Sequence, residues 1–120
     1  MHSLWNFTVD VASHHNAPSN GVIGRYWTER EDGLVMPWSG ERVFCNPPYD
    51  HTIPLWLARA READFALYLL PPSVDTAWFH KYVMGDADRW YFLRGRLRFG
   101  KDGKVGPAPR AGNLVAIYGR

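Results

Sequence analysis

Two apolar runs in this chain each stop against a pair of prolines. Val43-Phe44-Cys45 meets Asn46-Pro47-Pro48, and residues 65–70 (FALYLL) meet Pro71-Pro72. Proline has no amide for a ladder and clashes inside a helix, so both runs must be strands that end there. The second run is apolar at every position, the pattern of a strand buried on both faces of a parallel sheet. Between the two runs Ile53, Trp56, Leu57 and Ala60 recur at helical spacing, with Pro54 in the tolerated first turn. That spacing predicts a helix capped by Thr52 and ending near Glu62. Strand, helix, strand in this order calls for a βαβ crossover and a mostly parallel α/β sheet.

The remaining elements extend the same sheet. Residues 4–11 read as a first strand, and the roughly 35 residues between Asp10 and Asn46 are too few for two further βα units. The first strand therefore belongs beside 42–45. Trp78, Phe79, Tyr82 and Val83 form a second helical stripe, capped by Ser73 or Asp75 and closed by Gly85. Beyond it, residues 90–93, 96–99 and 114–118 read as strands around a Gly/Pro/Lys-rich stretch at 100–112, which leaves no room for another helix. The last strands are expected to be antiparallel. Residues 12–40 are the least legible: 14–24 read as loop, 25–32 as a short helix, and Trp38 as an isolated anchor. Trp38, Trp56 and Trp90 are assigned to packing. With 46% apolar and 15% aromatic residues in 120, the chain supports one domain over residues 1–120, of three α/β layers.

Charge is unevenly placed. The net +2 combines −5 over residues 1–88 with +7 over residues 89–120, where eight basic side chains face Asp102 alone. Such a block points to a polyanion such as nucleic acid; the alternative is a solvated basic face. Arg94, Arg96 and Arg98 alternate, so on a strand they share one face, and Lys101 and Lys104 prolong the line as candidate phosphate contacts. A charged edge strand that discourages aggregation would look the same. The single cysteine, Cys45, forms no internal disulfide and reads as a small buried apolar group. The five histidines are scattered, and no Cys/His spacing suits a metal, so no metal site is expected. The N-terminal residues carry neither a leader pattern nor a membrane span, so a soluble cytoplasmic protein is expected.

The strongest chemical feature is Asn46-Pro47-Pro48-Tyr49, at the carboxyl end of a strand, where ligands of parallel sheets bind. One planar NH2 group can donate to both the Asn46 side-chain carbonyl and the Pro47 carbonyl, while Tyr49 offers a face to a flat ring and Pro48 stiffens the turn. A proline-stiffened turn without chemistry is the bland reading. Together with the segments FTVDVAS, LLPPSVDTAWFH and GRLRF, this motif resembles the phage-type Dam DNA adenine-N6 methyltransferases, which use S-adenosylmethionine, over residues 7–118. The resemblance implies a Rossmann-like methyltransferase sheet reduced in size, DNA as partner, and Asn46, Pro47, Pro48 and Tyr49 as the residues that handle the target amine. Residues 4–11 and 42–45 would then be its first and fourth strands.

Asp10, at the end of the first strand, is the cofactor candidate: its carboxylate suits ribose hydroxyls or an ammonium group, Ala12 leaves room for approach, and Asn46 lies alongside. The bland reading is an Asp serving its own turn. No G-x-G signature follows this strand, and Gly21-Val22-Ile23-Gly24 is a coincidence of spacing. Few residues precede Phe7, which predicts either a homodimer whose second subunit completes the cofactor pocket or a degenerate version of the fold. Two other functions share these features: a related methyltransferase acting on cytosine N4, RNA or glutamine, and a non-catalytic nucleic-acid-binding remnant.

Overall fold

One five-stranded sheet is built from β1 (Val9–Asp10), β2 (Arg42–Cys45), β3 (Phe65–Leu70), β4 (Arg89–Phe92) and β5 (Leu114–Gly119), in the order β1-β2-β3-β5-β4. The computed structural model describes residues 5–14, 23, 25–93 and 113–119. β3 is buried at all six positions, as its uninterrupted apolar sequence demands. β1, β2 and β3 run parallel, with Val9 opposite Val43 and Cys45 opposite Tyr68. β5 is antiparallel to both β3 and β4. The terminal pair is antiparallel as expected, yet β4 points the same way as β1 to β3 and only β5 is reversed.

β1 is shorter than residues 4–11 suggested. The Thr8 hydroxyl accepts the Arg42 amide at 2.8 Å, so a side chain takes the place the backbone ladder would hold. Asn6 adopts a φ of 52° and the chain turns away. Trp5 then stacks on Phe65 at 5.8 Å, and Phe7 meets Phe44 edge-on at 5.5 Å.

The helices are also shorter than their patterns. α1 (Ile53–Leu57) gives way to a 3-10 turn at Ala60–Glu62. The Trp56 carbonyl, which a continuing α-helix would offer to Ala60, instead accepts the Tyr68 hydroxyl at 2.6 Å and the Arg59 amide at 3.2 Å. Tyr68 is fully buried, and that burial holds its hydroxyl protonated well above the ordinary tyrosine range. Thr52 does not cap α1; Asp50 Oδ1 accepts the Thr52 amide at 2.8 Å and makes the turn. The second stripe forms a π-helix at Phe79–Met84, where the Gly85 amide donates to His80 five residues back. Neither Ser73 nor Asp75 supplies its cap: Thr76 Oγ1 accepts the Phe79 amide at 3.3 Å.

Among the described residues, the helices lie on one face only. Ile53, Trp56, Leu57, Ala60, Phe79 and Val83 share a core with Val43, Cys45, Tyr68, Leu70, Leu114 and Ala116. The other face, Phe65, Leu67, Leu69, Val115 and Ile117, packs against Trp5, Phe7, Phe44 and Leu93. Among the described residues, two of the expected three layers are seen, and the second face is covered by these side chains rather than by a helix. Trp38 and Cys45 are fully buried, as expected. Arg59 fastens the 34–38 loop to this core, donating to the Leu34 and Met36 carbonyls at 2.6 and 2.8 Å and lying 5.0 Å over the Trp38 ring.

At the amino end of β4, Asp88 accepts from Arg61 at 2.8 Å and from the Gly119 amide at 2.6 Å. These bonds hold its carboxyl down to about 2. A carboxyl depressed from its ordinary value near 3.9 stabilises the fold fully above about pH 4, and loses that contribution as pH falls toward 2. Both side chains are nearly half exposed, so the effect is small and salt-screened. Thermal melts of Asp88→Asn should lie below wild type at pH 7, with the gap closing between pH 4 and pH 2.

Candidate active site

In a parallel sheet, backbone groups at the carboxyl ends of the strands have no further ladder partner, and loops gather there. The carboxyl ends of β1 and β2 lie side by side, with Asp10 opposite Phe44 and the Val11 amide donating to the Phe44 carbonyl at 3.1 Å. This register brings the loop after Asp10 next to the Asn46-Pro47-Pro48-Tyr49 bend. The candidates for cofactor and amine thus share one rim.

The bend is partly closed. Pro47 is buried, while Asn46, Pro48 and Tyr49 are half-buried. Asn46 Oδ1 is itself covered. Tyr49 packs against the main core, and its hydroxyl points to the Leu69 carbonyl at 3.4 Å. The ring is thereby leaned over the end of β3. Asp10 is 7% exposed, and its Oδ1 accepts the Ala12 amide at 3.1 Å. That bond is the turn-forming role of an Asp, and it shapes the loop in which Ala12 sits. His51, beside the bend, is exposed.

Residues 25–32 do not form the expected helix. Residues 25–27 run extended along the outer edge of β1: the Asp10 amide donates to Arg25, and the Trp27 amide donates back to Asp10 at 2.8 Å. A single turn follows, in which Glu31 accepts from the Thr28 amide and hydroxyl at 2.7 and 2.9 Å. The Thr28 amide above all holds the Glu31 carboxyl below its ordinary range. Asp32, at a φ of 61°, ends the turn. The helical pattern here was a capping box with no helix behind it.

Three residues at this rim escaped the sequence reading. Ser13 Oγ is buried without a hydrogen-bond partner among the described residues, an exception for a buried polar group. Glu29 follows the extended segment and pairs with His14 at 3.4 Å. Its place about twenty residues after Asp10, behind the extended segment bridged to β1, is a spacing signal of ribose-binding carboxylates. Gly33 lies so close to β1 that a Cβ would sit 1.9 Å from the Val11 carbonyl oxygen.

The basic candidates Arg94, Arg96, Arg98, Lys101 and Lys104 lie outside the described residues. Trp90, assigned to packing, touches Phe79 edge-on but is 37% exposed, β4 being the outermost strand among the described residues. A depression lined by Arg61, Asp88, Arg89 and Gly119 opens on the opposite rim, away from the bend. Among the described residues no group of three or more His, Cys, Asp or Glu could hold a metal, and no helix is long and apolar enough to cross a membrane.

Comparison with curated proteins and with solved structures gives no match. A family model does match, over residues 1–117, and its span takes in the Asp10 loop, the Asn46 bend and all but the last residues of β5. With parallel neighbours β1 and β2 bringing those two loops together and a match over nearly its whole length, the chain belongs to the DNA N-6-adenine-methyltransferase (Dam) family.

Proposed function

We propose that this protein transfers a methyl group from S-adenosylmethionine to the N6 amine of adenine in DNA, in the cytoplasm. The observation that carries the reading is the placement of the Asn46–Tyr49 bend at the carboxyl end of β2, directly beside the Asp10 loop at the end of β1. The order β1-β2-β3-β5-β4, with one reversed strand between two parallel ones, supports a reduced methyltransferase sheet. Asn46 and the Pro47 carbonyl accept the two amine hydrogens, which localises the nitrogen lone pair. Tyr49 stacks on the base once it has left the duplex. The donor set at the rim suits the cofactor: Asp10 and Glu29 offer carboxylates for hydroxyl or ammonium groups, and the buried Ser13 hydroxyl has its hydrogen-bonding capacity unused. When bound, S-adenosylmethionine supplies an electrophilic methyl carbon, and positioning the amine against it is the chain's contribution.

A test uses methyl-labelled cofactor with two alternating duplexes. Poly(dA-dT) offers only the adenine amine, and poly(dI-dC) offers only cytosine N4. Label should enter the first and not the second; the reverse result would reassign the base. The covered Asn46 oxygen favours one rival, a nucleic-acid-binding remnant. That rival predicts no label in either duplex, no calorimetric cofactor binding, and salt-sensitive DNA binding.

A further inference from the structure

We infer that the outer strand β4 is a stacking site for unpaired bases of a nucleic-acid strand. All four of its residues, Arg89, Trp90, Tyr91 and Phe92, are exposed, and the three aromatics are 37%, 44% and 50% exposed. An edge strand is normally protected by charge or by proline, and a run of large aromatic rings is the opposite. Trp90 and Phe92 share one face of the strand, Tyr91 alternating to the other, and these two rings are in contact. Phe79 meets Trp90 edge-on at 5.2 Å and 85°, and Trp90 meets Phe92 at 6.0 Å and 89°. Such edge-to-face contacts restrain Trp90 and Phe92, so less rotamer freedom remains for these two to lose on binding.

The occupant is chosen by charge. From Arg89 to the last residue the chain carries eight basic side chains and one acidic. In the sequence Arg89 and Arg94 bracket the three aromatics, and single strands use such a combination: bases stack on aromatic faces while cations follow the phosphates. Geometry ties the strand to the candidate site. β4 runs parallel to β2, so Phe92 lies at the same rim as Asn46, three strand spacings away, or about 14 Å. That distance matches about four stacked nucleotides at ~3.4 Å each. The inference rests on DNA being the substrate, and it adds where the strand runs once a base has been extruded.

The experiment measures binding of a labelled oligothymidylate of twelve residues by fluorescence anisotropy. Thymine has no exocyclic amine, so the Asn46 bend contributes nothing specific, and failure here is separable from failure of the methyl-transfer reading. Wild type should bind, while Trp90→Ala and Phe92→Ala should each weaken binding on the order of tenfold. Because Trp90 supports Phe79, Phe92→Leu serves as the variant that keeps the apolar packing: it should weaken binding similarly, whereas Phe92→Tyr should not. Unchanged affinity in folded Phe92→Leu and Phe92→Ala would overturn the inference. So would unchanged affinity with an altered sedimentation coefficient, which would assign the edge to a second copy of the chain.

Discussion

Asn46→Ala is expected to bind DNA with nearly wild-type affinity and to transfer methyl groups about 100- to 1000-fold more slowly, the cost typical of losing one preorganised hydrogen-bonding group at a reacting centre. The side chain carries one of the two oxygens proposed to hold the amine. Without it the nitrogen keeps its conjugation with the ring and loses its alignment, so the loss falls on turnover and not on binding. Asn46→Asp keeps an acceptor and should retain far more activity. Single-turnover rates with poly(dA-dT), read beside anisotropy titrations, check both statements. Equal turnover in wild type and Asn46→Ala would remove the residue from the reaction. The covered position of its oxygen adds a spectroscopic expectation: the Asn46 side-chain amide resonances should shift when an adenine-containing strand is added.

Gly33→Ala should be the more damaging change to the fold, although it adds a single methyl group. Its Cβ would stand 1.9 Å from the Val11 carbonyl oxygen and 3.0 Å from the Trp56 ring. A backbone oxygen cannot swing aside as a side chain can, so β1 and the 28–38 loop must part. The displacement also strains the bond from the buried Trp38 indole to the Gly33 carbonyl, 2.8 Å long. We expect a loss of about 3 kcal/mol, at the upper end of overpacking effects, and a fall in Tm of roughly 10–15 °C. Gly40→Ala is the comparison. No atom lies within 4 Å of the added Cβ, and only its φ of 78° opposes the change, so roughly 1 kcal/mol is expected. Thermal melts of the two variants decide the matter, and equal melting temperatures would contradict the close approach. Because Val11 follows Asp10 directly, the cofactor binding proposed for the Asp10 loop should weaken in Gly33→Ala as well.

Strong punctuation was legible. The diprolines after Cys45 and Leu70 located two strand ends, and the uninterrupted apolar run of β3 announced burial on both faces. The short span before Asn46 placed β1 beside β2. Weak periodicity misled wherever a tertiary bond outcompeted it. Tyr68 captured the Trp56 carbonyl and cut α1 short. Thr8 bonded Arg42 and shortened β1. Glu31 capped a turn that had no apolar face to continue it into a helix.

The local order of strands and turns was thus determined by the sequence by itself, because proline geometry and apolar runs act within a few residues. The position of the Asn46–Tyr49 bend at a strand end was legible for the same reason, since its two prolines are adjacent in the chain. Only the tertiary structure decided that residues 25–27 lie against β1, that Ser13 and Gly33 border the same rim, and that β4, outermost among the described strands, exposes its aromatic rings. Those facts depend on contacts between residues far apart in the chain, and no local propensity encodes which backbone groups will find each other once the sheet has closed.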